Sequence, residues 1–220
     1  MMFTKTEQVR YPPPDCAAQA SPTNMSKFMV SSLDMPPKQA AVLHQQYLHD
    51  FGSTIEGLIH YHQVDPMFFN KQVDDVLPLE DLLEEDIKLQ QTLARFDRTK
   101  VKLWLLTNAH ITHARRVVHI LGIEQYFEGI TFCDYASGKL VLKPSQKMYA
   151  VAERDADVGS VRDCFFVDNS LQNCVAAQKR GWTVVHLCES SSQAMLEGEE
   201  VVRYRVGSLH ELPDLFPEFT

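Results

Sequence analysis

The run Val101–Asn108, VKLWLLTN, constrains the fold more than any other stretch of the chain. Leu103, Trp104, Leu105 and Leu106 follow one another without polar alternation and stop abruptly at a hydroxyl residue and an amide. A strand with one wet face alternates apolar and polar residues. A near-continuous apolar run between polar ends reads instead as a parallel strand covered on both faces. In open α/β sheets ligands lie at the carboxyl ends of such strands, which is where Thr107 and Asn108 fall.

The chain downstream has the rhythm that a parallel sheet demands. Ile111, Ala114, Val117, Val118 and Leu121 share one face of a helix over about residues 110–121, which Gly122 ends. Ile130–Phe132 is a short strand, and Leu140–Leu142 reads as part of a hairpin after Gly138. Pro144 opens a helix through Met148, Val151 and Ala152. Cys164–Val167 is a second buried strand, followed by a helix over 170–180, Gly181 and the strand Trp182–Leu187. Val201–Val206 and Ser208–Phe216 complete the series as a strand and a helix. This alternation predicts an α/β class with right-handed crossovers.

Upstream the pattern is helical. Pro36 and Pro37 precede Ala40, Leu43, His44, Tyr47, Leu48 and Phe51 at helical spacing, and Gly52 closes the run. Ile55, Leu58, Ile59 and His62 form a second amphipathic turn series; Asp65-Pro66 is a fresh start signal for a helix over Met67–Val73. Leu82–Phe96 supplies a further helix. Residues 1–25 carry the triple proline Pro12–Pro14 and almost no apolar periodicity, and read as an extended tail.

Composition excludes several classes. A net charge of −8 argues against a nucleic-acid binder, which needs a basic face. No apolar run reaches the roughly 18 residues of a membrane span. The five cysteines (Cys16, Cys133, Cys164, Cys174, Cys188) form no CxxC pair, which suits a reducing compartment better than a disulfide framework. The expectation is a chain that meets neither nucleic acid nor membrane and works in the cytoplasm, with nothing to set the nucleus apart.

Three loops hold residues suited to a phosphate. Thr107 and Asn108 follow the first strand, where a hydroxyl and helix-end amides meet an anion. Lys143, before Pro144, puts a cation at a helix start. Asp168 ends the run Phe165-Phe166-Val167 and offers the hard oxygen ligands that Mg²⁺ takes. Each has a plainer alternative: Thr107 and Asp168 as helix caps, Lys143 as a solvated surface lysine.

In this order, Thr-Asn, Lys-Pro and a strand-terminal Asp resemble the later motifs of the haloacid-dehalogenase-like hydrolases, and more narrowly their pyrimidine 5′-nucleotidase group. The resembling stretches are LWLLTNAH, FEGITFCDYA, the Lys-Pro of LKPS and FFVDNS, with YLHDFGSTIEGLIHYHQVDP and VDDVLPLEDLLEEDIKL upstream. Together they cover about residues 26–216. The resemblance implies a Rossmann-like parallel core over 99–220 and a small helical cap with its connecting helix over 26–98. It implies phosphate transfer from a nucleoside monophosphate, or another small phosphomonoester, to an aspartate and then to water, with Mg²⁺ offsetting charge. Thr107, Asn108 and Lys143 would hold the phosphate and Asp168 the Mg²⁺. Asn169 stands where the family usually has a second acid.

The family's first motif, an apolar strand ending in Asp-x-Asp, has no counterpart before Ser26, where Asp15 stands alone. Asp155-Ala156-Asp157 has the spelling but follows the charged, helical Val151-Ala-Glu-Arg. No catalytic residue is assigned, and the expected chain is an inactive or strongly impaired phosphatase, or a non-catalytic phosphate or nucleotide binder descended from one. The missing strand would lie between Val101–Leu106 and Cys164–Val167. Its loss leaves two inward edges whose buried unpaired groups cost about 1–3 kcal/mol each, against a typical stability of roughly 5–15 kcal/mol. Three outcomes are open: the sheet closes over the gap, the tail supplies a poor substitute, or the chain is incomplete, with residues 1–25 replacing a lost exon or reflecting a wrongly chosen start. The third is the expectation.

Overall fold

The computed structural model describes residues 24–51, 53–188 and 202–220. The readings of a tail over residues 1–25 and of a helix stop at Gly52 therefore fall mostly or wholly outside the described residues. These divide into two compact units: 24–82 with Asp134–Leu140, and Leu83–Cys133 with Val141–Thr220. No helix among them is long and apolar enough to cross a membrane.

The first unit holds helices α1 (Asn24–Ser32), α2 (Pro37–Phe51), α3 (Thr54–His62), α4 (Pro66–Val73) and the single turn α5 (Leu79–Leu82). The start of α4 follows from Asp65-Pro66. The aspartate accepts a hydrogen bond from the Phe68 amide at 2.7 Å, and the proline fills a position whose N–H has no partner to lose. Phe28 packs edge-on against Phe69 at 5.3 Å between ring centres, and the Tyr47 hydroxyl lies 2.8 Å from His62 Nε2. Gly57 lets α3 lie directly on the Tyr47 ring, which any Cβ there would strike. A 3₁₀ turn at Tyr135–Ser137 belongs to this unit and packs on α4.

The second unit is the α/β layer. It contains α6 (Ile87–Ala94), β1 (Trp104–Leu106), α7 (Ile111–Ile120), β2 (Gly129–Thr131), α8 (Gln146–Asp155), β3 (Phe165–Asp168), α9 (Leu171–Arg180), β4 (Thr183–Leu187), β5 (Tyr204–Val206) and α10 (Leu212–Leu215). Every strand pairing is parallel. The strands form two ladders among the described residues, β1–β2 and β3–β4–β5. Leu106, Tyr149, Phe166 and Trp182 share one buried cluster, so a single core serves both.

Direct closure of β1 on β3 is therefore not the outcome among the described residues. Strand β1 begins at Trp104 rather than Val101, although Val101 and Leu103 are already buried. The single helix expected over Leu82–Phe96 is broken at 83–86, because Asp86 caps a new start by accepting from the Leu89 amide at 2.9 Å. Helix α6 belongs to the α/β unit, where Thr92 reaches His210 at 2.7 Å. No hairpin forms at Leu140–Leu142, and α8 is capped by Ser145 rather than opened by Pro144. The C-terminal residues clasp β3, with Phe216 and Phe219 at 5.2 and 5.0 Å from the Phe165 ring.

One ion pair locks α8 to α9 and to Trp182, just before β4. Glu153 accepts two bonds from Arg180, each 2.6 Å, and one from Trp182 Nε1 at 2.8 Å. Burial works against the charge, yet the Arg180 and Trp182 hydrogen bonds hold the Glu153 carboxyl below its ordinary value of 4.5. Stability from a depressed carboxyl is fully present above that ordinary value and is lost as pH falls through the lower folded value. Glu153→Gln is thus expected to cost about 1–3 kcal/mol near pH 7. In urea titrations the difference from the parent should shrink as pH falls below 4.5.

Candidate functional site

Strand β1 delivers Thr107 and Asn108 to its carboxyl end, and β3 delivers Asp168 to the corresponding end of the other ladder. The Thr107 amide donates to the Thr131 carbonyl at 2.9 Å, so Thr107 faces β2. Backbone groups alternate sides along a strand. The Leu106 carbonyl therefore points to the opposite edge of β1.

Lys143 reaches that edge. Its Nζ donates to the Leu106 carbonyl at 2.9 Å and to Asp168 Oδ2 at 2.8 Å, and lies 5.7 Å from the centre of the Phe166 ring. The side chain is 1% exposed. The solvated-lysine alternative does not hold. An ammonium this dry needs a carboxylate beside it, and Asp168 supplies one. Two of its three donors are engaged, leaving one for a further acceptor.

Asn108 fixes where that lysine starts. Its Oδ1 accepts from the Lys143 amide at 2.7 Å and its Nδ2 donates to the Lys143 carbonyl at 2.9 Å. The Asn108 amide is thus turned onto the Lys143 main chain, so its first service here is to position Lys143. Thr107, buried, accepts from the Ala109 amide through its hydroxyl at 3.0 Å. It does not cap α7, which begins after His110.

Asp168 is held on every side. Oδ1 accepts from the Ser170 amide at 2.8 Å and from Asn173 Nδ2 at 3.2 Å, while Ser170 is the cap of α9. Asn173 was not legible in the sequence: an asparagine three residues into a helix resembles any surface residue, and only burial against β3 gives it this role. Burial and the charge of Asp168 push the Tyr149 hydroxyl upward, as they do the Cys174 thiol. Both stay neutral at ordinary pH and serve packing rather than nucleophilic attack.

The sequence reading is brought together at Asn108, Lys143 and Asp168, with Thr107 at the end of the same strand. Asp155 and Asp157 lie elsewhere. Asp155 ends α8 and accepts from the Thr131 hydroxyl at 3.0 Å, and Asp157 sits in a turn with φ of 53°. Neither ends a strand. Among the described residues no three of His, Cys, Asp and Glu gather as a metal site. Mg²⁺ takes six oxygen ligands, and here one carboxylate is already shared with an ammonium. The described residues do not make a Mg²⁺ site by themselves.

Comparison with known proteins agrees with this geometry. Over 175 residues the chain is 34% identical to Phosphate metabolism protein 8 of Saccharomyces cerevisiae, covering 76% of this chain and 54% of that protein. The chain thus spans about half the length of that relative. Its fold is similar to a HAD phosphatase from Thermococcus onnurineus (TM-score 0.58, 19% identity, 87% and 86% of the two chains). It is also similar to L-2-haloacid dehalogenase from Xanthobacter autotrophicus (TM-score 0.60, 17% identity, 100% and 98%). A family model described as haloacid dehalogenase-like hydrolase matches residues 30–181, well over half of the chain. Two parallel ladders that end beside Thr107 and at Asp168, the Lys143 ammonium on Asp168, and a match of that extent place the chain in the haloacid dehalogenase-like hydrolase family.

Proposed function

We propose that the chain is a phosphatase-type member of this family whose site takes the phosphate of a nucleoside 5′-monophosphate, a pyrimidine nucleotide by its likeness to that group. The observation that carries the reading is the buried ammonium of Lys143, 2.8 Å from Asp168. It has a third donor to offer an anion, and the Thr107 hydroxyl stands at the end of β1. The name of the yeast relative, which refers to phosphate metabolism, supports the same substrate chemistry.

Turnover by these 220 residues should be nil or strongly impaired. Hydrolysis through a phosphorylated aspartate needs a carboxylate that can attack phosphorus. Asp168 is tied by three donors, and Asp155 is spent on Thr131 and Arg154. When Mg²⁺ is bound in this family it offsets phosphate charge; here its remaining ligands would have to come from phosphate and water. A site of this kind retains anions without transforming them, which also favours the reading of a non-catalytic nucleotide binder.

The test is calorimetric binding of UMP, CMP and inorganic phosphate to the folded chain, beside a phosphate-release assay on UMP with and without Mg²⁺. Binding without release is the expected result. Sustained Mg²⁺-dependent release that survives Asp15→Ala and Asp155→Ala would overturn the impaired-turnover part. Failure of a cooperatively folded chain to bind any of the three would overturn the phosphate site.

A further inference from the structure

Parallel strands are normally covered by helices on both faces. Strand β2 falls short of that on one side. Ile130 pairs in register with Leu105, so their side chains share a face of the sheet. Leu105 is 5% exposed, whereas Ile130 and Phe132, two residues further on, are only half-buried. The other face is closed, because the Trp104 ring lies directly against Gly129, where any Cβ would strike it. On α7, Ile111, Arg115 and Val118 stand at the spacing that puts them on one side of a helix. Between these helix and strand residues lies a groove of about 230 Å³. Glu124 and Phe127, from the 3₁₀ turn Glu124–Tyr126 and the residue after it, complete its wall.

Size, lining and charge together describe what this groove takes. An apolar cavity of roughly 150 Å³ admits a benzene ring, so this one has room for a ring with a short side arm. Phe127 and Phe132 give such a ring aromatic neighbours. Arg115 is the one cation of the lining, is exposed, and holds no ion pair among the described residues. Its guanidinium fork matches a carboxylate with two parallel hydrogen bonds. Glu124 turns to another partner, with Oε2 3.7 Å from His119 Nδ1. Its charge disfavours a ligand with a second negative charge, so a monocarboxylate fits better than a phosphate dianion.

We propose that the groove between α7 and β2 binds a small arylalkanoate, one aromatic ring carrying a short chain that ends in a carboxylate. The ring lies among Ile130, Phe127 and Phe132, and the carboxylate meets Arg115. Thr107, Asn108, Lys143 and Asp168 take no part in the lining. The site therefore stands whether or not phosphate binds at Lys143.

The probe is 3-phenylpropanoate, titrated into the ¹⁵N-labelled full chain. A ligand of about a dozen non-hydrogen atoms is expected to bind at roughly millimolar concentration. Amide shifts should saturate and centre on Ile111–Val118 and Gly129–Phe132. 3-Phenylpropan-1-ol keeps the ring and lacks the charge, and should bind about tenfold more weakly. Arg115→Gln should weaken the acid by about the same tenfold and leave the alcohol unchanged, a split that a merely structural role would not produce. Ile130→Trp fills the groove and should abolish both. Absence of shifts in a cooperatively folded chain overturns the proposal. So do shifts centred on Asn108, Lys143 and Asp168, displacement of the acid by inorganic phosphate, or an unchanged acid affinity in a folded Arg115→Gln chain. The acid-to-alcohol ratio in the parent needs no variant to fold, and a ratio near one also overturns it.

Discussion

Lys143→Met is expected to cost the fold about 3–5 kcal/mol, because it leaves the buried carboxylate of Asp168 without its counter-charge. Both side chains are at most 1% exposed, so water cannot take the place of the ammonium. The Leu106 carbonyl loses its donor in the same step. Urea titration of the parent and variant reads the loss. The double variant Lys143→Met/Asp168→Leu should recover much of it, since an apolar pair in place of a buried ion pair is often neutral or better. A shift below about 1 kcal/mol for the single variant would mean that the pair is solvated. The double variant should still bind no UMP, which separates the structural task of Lys143 from its proposed hold on phosphate.

The second large effect is expected at Phe166. Its ring is the shared neighbour of Tyr149 and Trp182, with centres 5.9 and 5.7 Å away, and Tyr149 and Trp182 meet each other at 5.1 Å. Phe166→Ala removes one member of this fully buried trio and should cost about 3–5 kcal/mol through lost burial and a residual cavity. The loss extends to the site, because Phe166 presents its face to the Lys143 ammonium. Phe166→Leu keeps most of the volume, so thermal unfolding should show a clearly smaller loss than for alanine, the remainder being aromatic contact. Equal losses for the two would show that the shape of the ring, and not its volume, governs this layer.

Much of this architecture was legible in residue order. The unbroken apolar runs before Thr107 and at Phe165–Val167 became β1 and β3, parallel and buried, because such runs are stable only when both faces are covered. Gly181, at φ of 100°, ends α9 where an αL residue is required. Boundaries were harder. Asp86 divides a continuous helical pattern because a capping carboxylate competes locally with helix continuation, and periodicity is blind to that competition. Residues Asp134–Leu140 belong with the helices, since packing of the Tyr135–Ser137 turn on α4 is a contact between distant parts of the chain.

At the site the division is sharper. Order and residue type alone placed Thr107 and Asn108 after one buried strand, Asp168 at the end of another and Lys143 at a helix start, with a parallel sheet to carry them. Only tertiary structure decided what each does there. It made Lys143 a buried cation instead of a surface one, turned Asn108 onto the Lys143 backbone, and enclosed Asp168 between Lys143, Ser170 and Asn173. It also set Arg115 beside Ile130 and Phe132 across the groove. The reason is physical: strand-end position is a local property of sequence. Burial, the state of an ion pair and the direction of a side-chain amide depend on groups from other elements, such as Lys143 with Asp168 and Asn108 with Lys143, which meet at 2.7–2.9 Å only when the core closes.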